Sequence, residues 1–495
     1  MNTTGQEKAP IAEAMRAYAA DGALAFHTPG HKQGRGAHPL LRQLITEEGL
    51  REEVSLMEEL DDLHEPTMCI REAQELAAEL YGADAAWFMI NGTTGANHTM
   101  LLGTLRPGDT VLLPRNAHRS LIGACILAGV RPVWLQPEVS DVWGIAMGVP
   151  LAEIQAALAA HPEARALVLV YPTYYGVTQD LRAVADYVHE RGVLLLVDAA
   201  HGPHLHFSDE LPLSALDAGA DVVTSSTHKI TGSLTQTSML FVKGPRVEHE
   251  RIRQAASLLQ STSPNQLLLA SLDIARLQLY ESGRASISRA VALAQKLRGE
   301  LAQVPGLRVL MPAELHTPGA TGLDLTKITV QVSGLGLSGT EAEHILRHAY
   351  KIQCELSDAS NLLFIISYAD DEETCGRLLQ AMQSLAATHQ GCAACPQPVA
   401  LPTVPPQAMA PREAFFAPVV QVPFAAAVGR VAAEQVMFYP PGIPLLVPGD
   451  RITGETLHYI HAMQALGLKV VGPADASLQT LQVIAEEKLG DSASR

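Results

Sequence analysis

Ser225-Ser226-Thr227-His228-Lys229 closes one short apolar run, Asp221-Val222-Val223-Thr224, and Asp198-Ala199-Ala200-His201 closes another, Val193-Leu194-Leu195-Leu196-Val197. Runs of four or five mostly apolar residues read as buried β-strands. Ligands in an open α/β sheet bind at the strand C-termini, which is where this lysine and this acid are delivered. One lysine and one carboxylate placed there suit a pyridoxal phosphate (PLP) enzyme. The lysine would hold the aldehyde as a Schiff base, and the acid would keep the pyridine nitrogen protonated. Asp and Lys at strand ends are also ordinary solvated turn residues, so the rest of the chain has to decide.

Outward from these two stretches, residues 70–245 alternate between helix-like and strand-like segments. Ile70, Ala73, Leu76, Ala77 and Leu80 recur at helical spacing. Apolar strands are expected near 86–90, 110–113, 132–135, 166–171, 193–197, 221–224 and 237–242. Continuous Val/Leu/Ile strands separated by helices predict a mostly parallel seven-stranded sheet covered on both faces. The predicted organisation is an N-terminal segment (1–69), an α/β large domain (70–300) and a smaller α+β domain (301–390). A Pro-rich linker (391–412) and a C-terminal α+β unit (413–495) complete it. The linker is read from Pro396, Pro398, Pro402, Pro405 and Pro406.

At 495 residues the chain exceeds what one compact core accommodates. Hydrophobic residues make up 47% and charged residues 18%, which excludes wholesale disorder. With 35 basic against 52 acidic residues the formal charge is −17. No Lys/Arg-rich run is present, so nucleic acid is not an expected partner. Residues 1–15 lack a signal-peptide pattern and no apolar run reaches about 18 residues, so neither export nor a membrane is expected. Six cysteines do not make a disulfide scaffold, and the expected compartment is the reducing cytoplasm. Cys392-x-x-Cys395 is a single pair where a zinc site needs four ligands, and the 19 histidines are scattered, so no metal is expected. His201, His204 and His206 are better ascribed to a cofactor pocket.

Two further positions complete the candidate site beside Asp198 and Lys229. Asn91-Gly92-Thr93-Thr94-Gly95-Ala96 follows an apolar strand and opens a helix-like run. Glycines admit backbone N–H groups to an anion and a helix N-terminus favours negative charge, so the loop reads as a phosphate cup or as a plain capped turn. His118, in Pro114-Arg115-Asn116-Ala117-His118-Arg119-Ser120, can stack on a cofactor ring or be a polar turn residue. Asp198 would be costly to bury without a cation, and a pyridinium is one; the rival is an Asp capping the next helix. Lys229 stands among Ser226, Thr227 and His228, where burial would lower its pKa and free its amine.

These stretches resemble the Orn/Lys/Arg decarboxylase family of fold-type-I PLP enzymes, in its short form without an N-terminal wing domain. Phe26-His27-Thr28-Pro29-Gly30-His31-Lys32, Leu60-Asp61-Asp62-Leu63-His64-Glu65-Pro66 and the four site stretches carry the likeness. Ala270-Ser271-Leu272-Asp273, Pro411-Arg412-Glu413-Ala414-Phe415 and Tyr439-Pro440-Pro441-Gly442-Ile443-Pro444 extend it over nearly the whole chain. One departure is Asp198-Ala199-Ala200-His201 where the family often shows Asp-Glu-Ala-His. The resemblance implies an aspartate aminotransferase-like large domain and PLP as cofactor. It implies catalytic roles for Lys229, Asp198, His118 and His228, and cofactor contacts from Thr93, Thr94, Gly95, His201 and Ser226 as well. It places Glu355 at the distal end of a basic amino acid, where a carboxylate suits an ammonium or a guanidinium. It also implies at least a dimer, with Thr262-Ser263-Pro264 reaching the neighbouring cofactor, and an N-terminal His27–Lys32 segment over the active-site entrance. The activity implied is decarboxylation of L-arginine to agmatine for polyamine synthesis, ahead of lysine or ornithine. An aminotransferase lacks an evident arginine for the substrate α-carboxylate, and a non-catalytic relative would not need Lys229 and Asp198.

Overall fold

A computed structural model describes residues 5–55, 57–389, 401–438 and 443–486. All seven expected large-domain strands form: β1 (Ala85–Met89), β2 (Thr110–Pro114), β3 (Arg131–Leu135), β4 (Ala166–Val170), β5 (Leu194–Asp198), β6 (Val222–Ser225) and β7 (Ser238–Val242). They make one sheet in the order β1-β7-β6-β5-β4-β2-β3. β6-β5, β5-β4, β4-β2 and β2-β3 pair parallel, whereas β7 runs antiparallel to both its neighbours. Side chains alternate across a strand, so consecutive apolar residues feed opposite faces. Leu195 and Val197 join one core with Leu112 and Leu167, while Leu196 joins the other with Val111, Leu113 and Val168. Two covered faces explain why these strands read as unbroken apolar runs.

The helix Cys69–Tyr81 buries Ile70, Ala73, Leu76 and Ala77. Its N-terminus is held by Asp61, whose carboxylate accepts from the N–H groups of Met68 (2.8 Å) and Ile70 (3.1 Å). This satisfies donors that a helix start leaves open. Helices His249–Leu259 and Gln266–Leu301 follow the sheet. On the long one, the fully buried Asp273 and Arg276 pair at 2.7 Å. Asp273 accepts from the Ile11 N–H and Arg276 donates to the Gln6 carbonyl, tying down the N-terminal helix Pro10–Asp21.

None of residues 27–32 lines the cavity at the strand ends of its own chain, and the segment forms a turn around Pro29-Gly30. His27 bonds Tyr18 (3.0 Å), His31 pairs with Glu53 (2.7 Å) and Lys32 donates to the His27 carbonyl. These bonds fold the segment back on the N-terminal region.

The smaller unit is a four-stranded antiparallel sheet, β8 (Arg308–Val309), β9 (Lys327–Gln331), β10 (Leu356–Ser357) and β11 (Asn361–Ile365), in the order β8-β9-β11-β10. It packs a core of its own with the helix Glu372–Thr388. The C-terminal residues build another core, around Val436, Leu446, Ile460 and Val483. Pro411 and Arg412 open a short helix, Pro411–Phe416, and Arg412 donates to the carbonyls of Ile126 and Leu127. The Arg115 guanidinium reaches the fully buried Asp450 carboxylate and the Leu445 carbonyl, and stacks over Trp134 at 4.8 Å. Burial pushes the Asp450 carboxyl up to about 6 despite that guanidinium. Cys392, Cys395, Pro396, Pro398 and Tyr439-Pro440-Pro441-Gly442 lie outside the described residues. Among the described residues no helix is long and apolar enough to cross a membrane.

Candidate active site

A cavity of about 380 Å³ opens at the C-terminal ends of β2, β4, β5 and β6. It is lined by Thr93, Thr94, His118, Asp198, His201, Ser226, His228 and Lys229, eight of the residues singled out from sequence. A larger groove of about 900 Å³ runs beside β1 and the helix Cys69–Tyr81, but among the described residues no lysine lines it.

Asp198, the last residue of β5, is 2% exposed. Its carboxylate is held by two uncharged donors, the Asn97 amide at 2.8 Å and the Ala200 N–H at 3.1 Å. Asn97 was not foreseen and is the hub of this corner. Its amide also donates to the Ser120 hydroxyl (2.9 Å), and its carbonyl accepts from the Thr224 hydroxyl (2.7 Å). The Ser120 backbone N–H donates to His118 Nδ1 (3.2 Å), so that nitrogen is an acceptor and His118 is the neutral Nε2–H tautomer. The same Nδ1 lies 2.8 Å from the Ser120 hydroxyl. Burial lowers the His118 pKa, opposed by Asp198 and reinforced by Lys229 and Arg119.

Ser226 caps the helical turn Thr227–Ile230 that carries Lys229. The Ser238 hydroxyl donates to the Ser225 carbonyl, so it accepts from Thr93 (2.8 Å), and Thr93 in turn accepts from Ser226 (2.5 Å). Two of the three hydroxyls expected at a phosphate, those of Thr93 and Ser226, are therefore knitted to each other. What faces the cavity from this side is the start of the helix Gly92–Thr104 with the exposed Thr94. Gly92, at φ +62, turns the chain into that helix while its N–H is bonded to the Gln236 carbonyl. Gly95 does not line the cavity. A Cβ there would sit 3.0 Å from Asn91 Cβ, so its small size serves packing within the loop.

His228 Nδ1 lies 2.6 Å from the Thr237 carbonyl and donates to it, leaving Nε2 as the free acceptor. Burial lowers its pKa. Lys229 Nζ is 2.8 Å from His201 Nε2 and 5.5 Å from the centre of the Tyr174 ring. Burial lowers the Lys229 pKa against the pull of Asp198 and Glu355, which favours a free amine. Tyr174 packs on His201 with ring centres 4.4 Å apart, and its hydroxyl donates to Glu355 (2.8 Å). Glu355 itself is exposed and lines a neighbouring cleft with Lys351 and Gln353, so it meets the cavity through Tyr174.

Two of the three clustered histidines are not cofactor-pocket residues. His204 is wholly buried against Asp324 (3.1 Å) and Thr326 (3.2 Å), and His206 pairs with Asp217 (2.7 Å). A step of two or three residues along an irregular segment turned them away from His201.

The donor set fits PLP: a buried carboxylate held only by neutral donors for the pyridine nitrogen, a buried amine for the aldehyde, and a helix start for the phosphate. Such a cavity at the carboxyl ends of a mostly parallel sheet defines an α/β enzyme of the fold-type-I architecture. The chain is similar in fold to an alanine–glyoxylate aminotransferase from Nostoc sp. (TM-score 0.52, 18% identity, 70% of this chain and 92% of that one). It is similar over more of its length to the E. coli constitutive lysine decarboxylase (TM-score 0.81, 24% identity, 97% and 82%). Residues 9–374 match the Orn/Lys/Arg decarboxylase major domain and residues 396–475 the Orn/Lys/Arg decarboxylase C-terminal domain. The chain belongs to the Orn/Lys/Arg decarboxylase family. A relative from Halalkalibacterium halodurans, 42% identical over 98% of this chain and 99% of its own, is named arginine decarboxylase.

Proposed function

We propose that this protein decarboxylates L-arginine to agmatine and CO2 with PLP as cofactor, supplying polyamine synthesis in the cytoplasm. The observation that carries the reading is one cavity holding a strand-end carboxylate with no ion-pair partner among the described residues and a buried lysine of lowered pKa. The name of the 42% identical relative favours arginine over lysine or ornithine.

Lys229 would hold the cofactor aldehyde, Asp198 the pyridine nitrogen, Thr94 with the start of its helix the phosphate, and His118 would stack on the ring. Bound PLP supplies an electron sink for the pair left at the substrate α-carbon. Asn97 fixes the Asp198 carboxylate and, through Ser120, the His118 ring, so both are oriented before substrate arrives. His228, with its Nδ1–H spent on the Thr237 carbonyl, can take and return a proton only at Nε2. Lys229 is the other group in the cavity that could carry a proton to the substrate α-carbon. Glu355, braced by Tyr174, would receive the distal cation of the substrate. A second copy would bring Thr262-Ser263-Pro264 to the cofactor.

Purified protein with added PLP, given L-arginine, L-lysine and L-ornithine separately, should yield agmatine as the dominant amine by mass spectrometry. Cadaverine or putrescine would overturn the substrate; no amine at all, with cofactor bound, would overturn the reaction.

A further inference from the structure

His201 is clamped between two lysines. Its Nε2 lies 2.8 Å from Lys229 Nζ, and its Nδ1 lies 2.7 Å from Nζ of Lys327, a β9 residue only 1% exposed. A neutral imidazole has one N–H and one lone pair, and an ammonium can only donate. Two ammonium groups would force one of them against a ring N–H or a ring proton against an ammonium. Both contacts are hydrogen bonds only when at least one lysine is a free amine.

The surroundings pull on both lysines. Near Lys327 stands Asp324, fully buried and held ionised by His204 and Thr326. Its field on Lys327 passes through protein and is weakly screened. Near Lys229 stand Asp198, His118, His228 and Glu355. Glu355 is solvent-exposed and its pull on Lys229 is screened by water, but Asp198 is 2% exposed and its pull is weakly screened. Burial also lowers the Lys327 pKa, to about 8, so the two lysines share one positive charge through the ring. When Lys327 carries it, the ammonium donates to Nδ1. This leaves the ring proton on Nε2, where it donates to the lone pair of Lys229.

We propose that Lys327 is a positioning residue that acts through His201: it fixes the Nε2–H tautomer and thereby holds Lys229 as a free amine. Lys327 does not line the cavity. The inference rests on Lys229 being the cofactor lysine and adds the device that prepares it.

The test is pH-dependent acetylation of Lys229 by trace acetic anhydride, read by peptide mass spectrometry on the full-length chain cleared of carbonyl compounds. Lys327→Met should raise the midpoint of Lys229 labelling by roughly one pH unit, because the released ring can turn its lone pair to a Lys229 ammonium. Lys327→Arg keeps a permanent donor on Nδ1 and should restore the wild-type midpoint. His201→Ala should raise the midpoint as well, and adding Lys327→Met to it should change nothing further. An unchanged midpoint in Lys327→Met overturns the proposal. So does an additive shift in the double variant, which would mean plain repulsion between two lysines. If Lys327→Met does not fold, an unchanged midpoint in His201→Ala is the overturning result. Failure of the cofactor assignment shows separately, as visible cofactor absorbance retained in Lys229→Ala.

Discussion

Asp198 and Asp324 are both buried carboxylates within reach of the same histidine-rich corner, and they are satisfied in opposite ways. Asp324 is closed off: His204 pairs with it, and Thr326 donates both its N–H and its hydroxyl. Asp198 is held in place by the Asn97 amide and the Ala200 N–H, but its charge meets no basic side chain in an ion pair among the described residues. A buried charge is costly unless paired. Asp324 has a basic side chain, His204, against it in the fold, whereas Asp198 is oriented toward a cavity where a cation can be brought. Burial alone therefore does not mark a functional acid; the kind of partner does.

The sharpest way to break this contrast is to remove each charge. Asp198→Asn should lower kcat about 10³-fold while leaving the unfolding midpoint near the parent value, because it removes an unpaired charge rather than a pair. Steady-state decarboxylation assays beside urea unfolding check both halves, and an active Asp198→Asn enzyme would break the comparison.

Asp324→Ala should do the reverse, costing about 3 kcal/mol of stability by chemical denaturation, since His204 is left buried without its acid. A pH series sharpens the same point. Burial opposes the Asp324 charge, yet His204, Lys327 and Thr326 outweigh it and hold the carboxyl down at about 2. The folded value lies below the unfolded value of about 3.9, so the contribution is whole above about pH 4 and fades as pH falls toward about 2. Urea midpoints of the parent should drop more across that window than those of Asp324→Asn.

The smallest effect is expected at the mouth. Tyr174→Phe removes the hydroxyl that braces Glu355 and should raise KM for the basic substrate about fivefold with little change in kcat, a loss near 1 kcal/mol. A kcat change without a KM change would argue that Tyr174 serves His201 rather than the substrate.

The strands were legible because a two-faced core demands unbroken apolar runs, and their ends announced Asp198 and Lys229. What the chain does not announce is any residue whose meaning comes from a distant partner. Asn97 reads as a polar residue inside an ordinary helix, and Lys327 as the polar start of a strand in Asp324-Leu325-Thr326-Lys327-Ile328. Only the packing of the smaller sheet against the end of β5 puts Lys327 on His201. His204 and His206 misled for the matching reason: closeness in sequence to His201 is not closeness in direction. Glu355 was placed beside the substrate by resemblance, and Tyr174, which links it to the cavity, has no signal in the sequence.

β7 lies between β1 and the parallel strands. As the chain leaves the ribosome, β1 and the loop after it emerge early but have no strand to pair with until residues 238–242 follow. Thr93 likewise waits for Ser226 and Ser238. The half of the cavity that would grip an anion thus cannot close before residues 238–242 have emerged. A nascent chain halted before β7 keeps an unpaired apolar edge, and that edge is where premature association with other chains should begin.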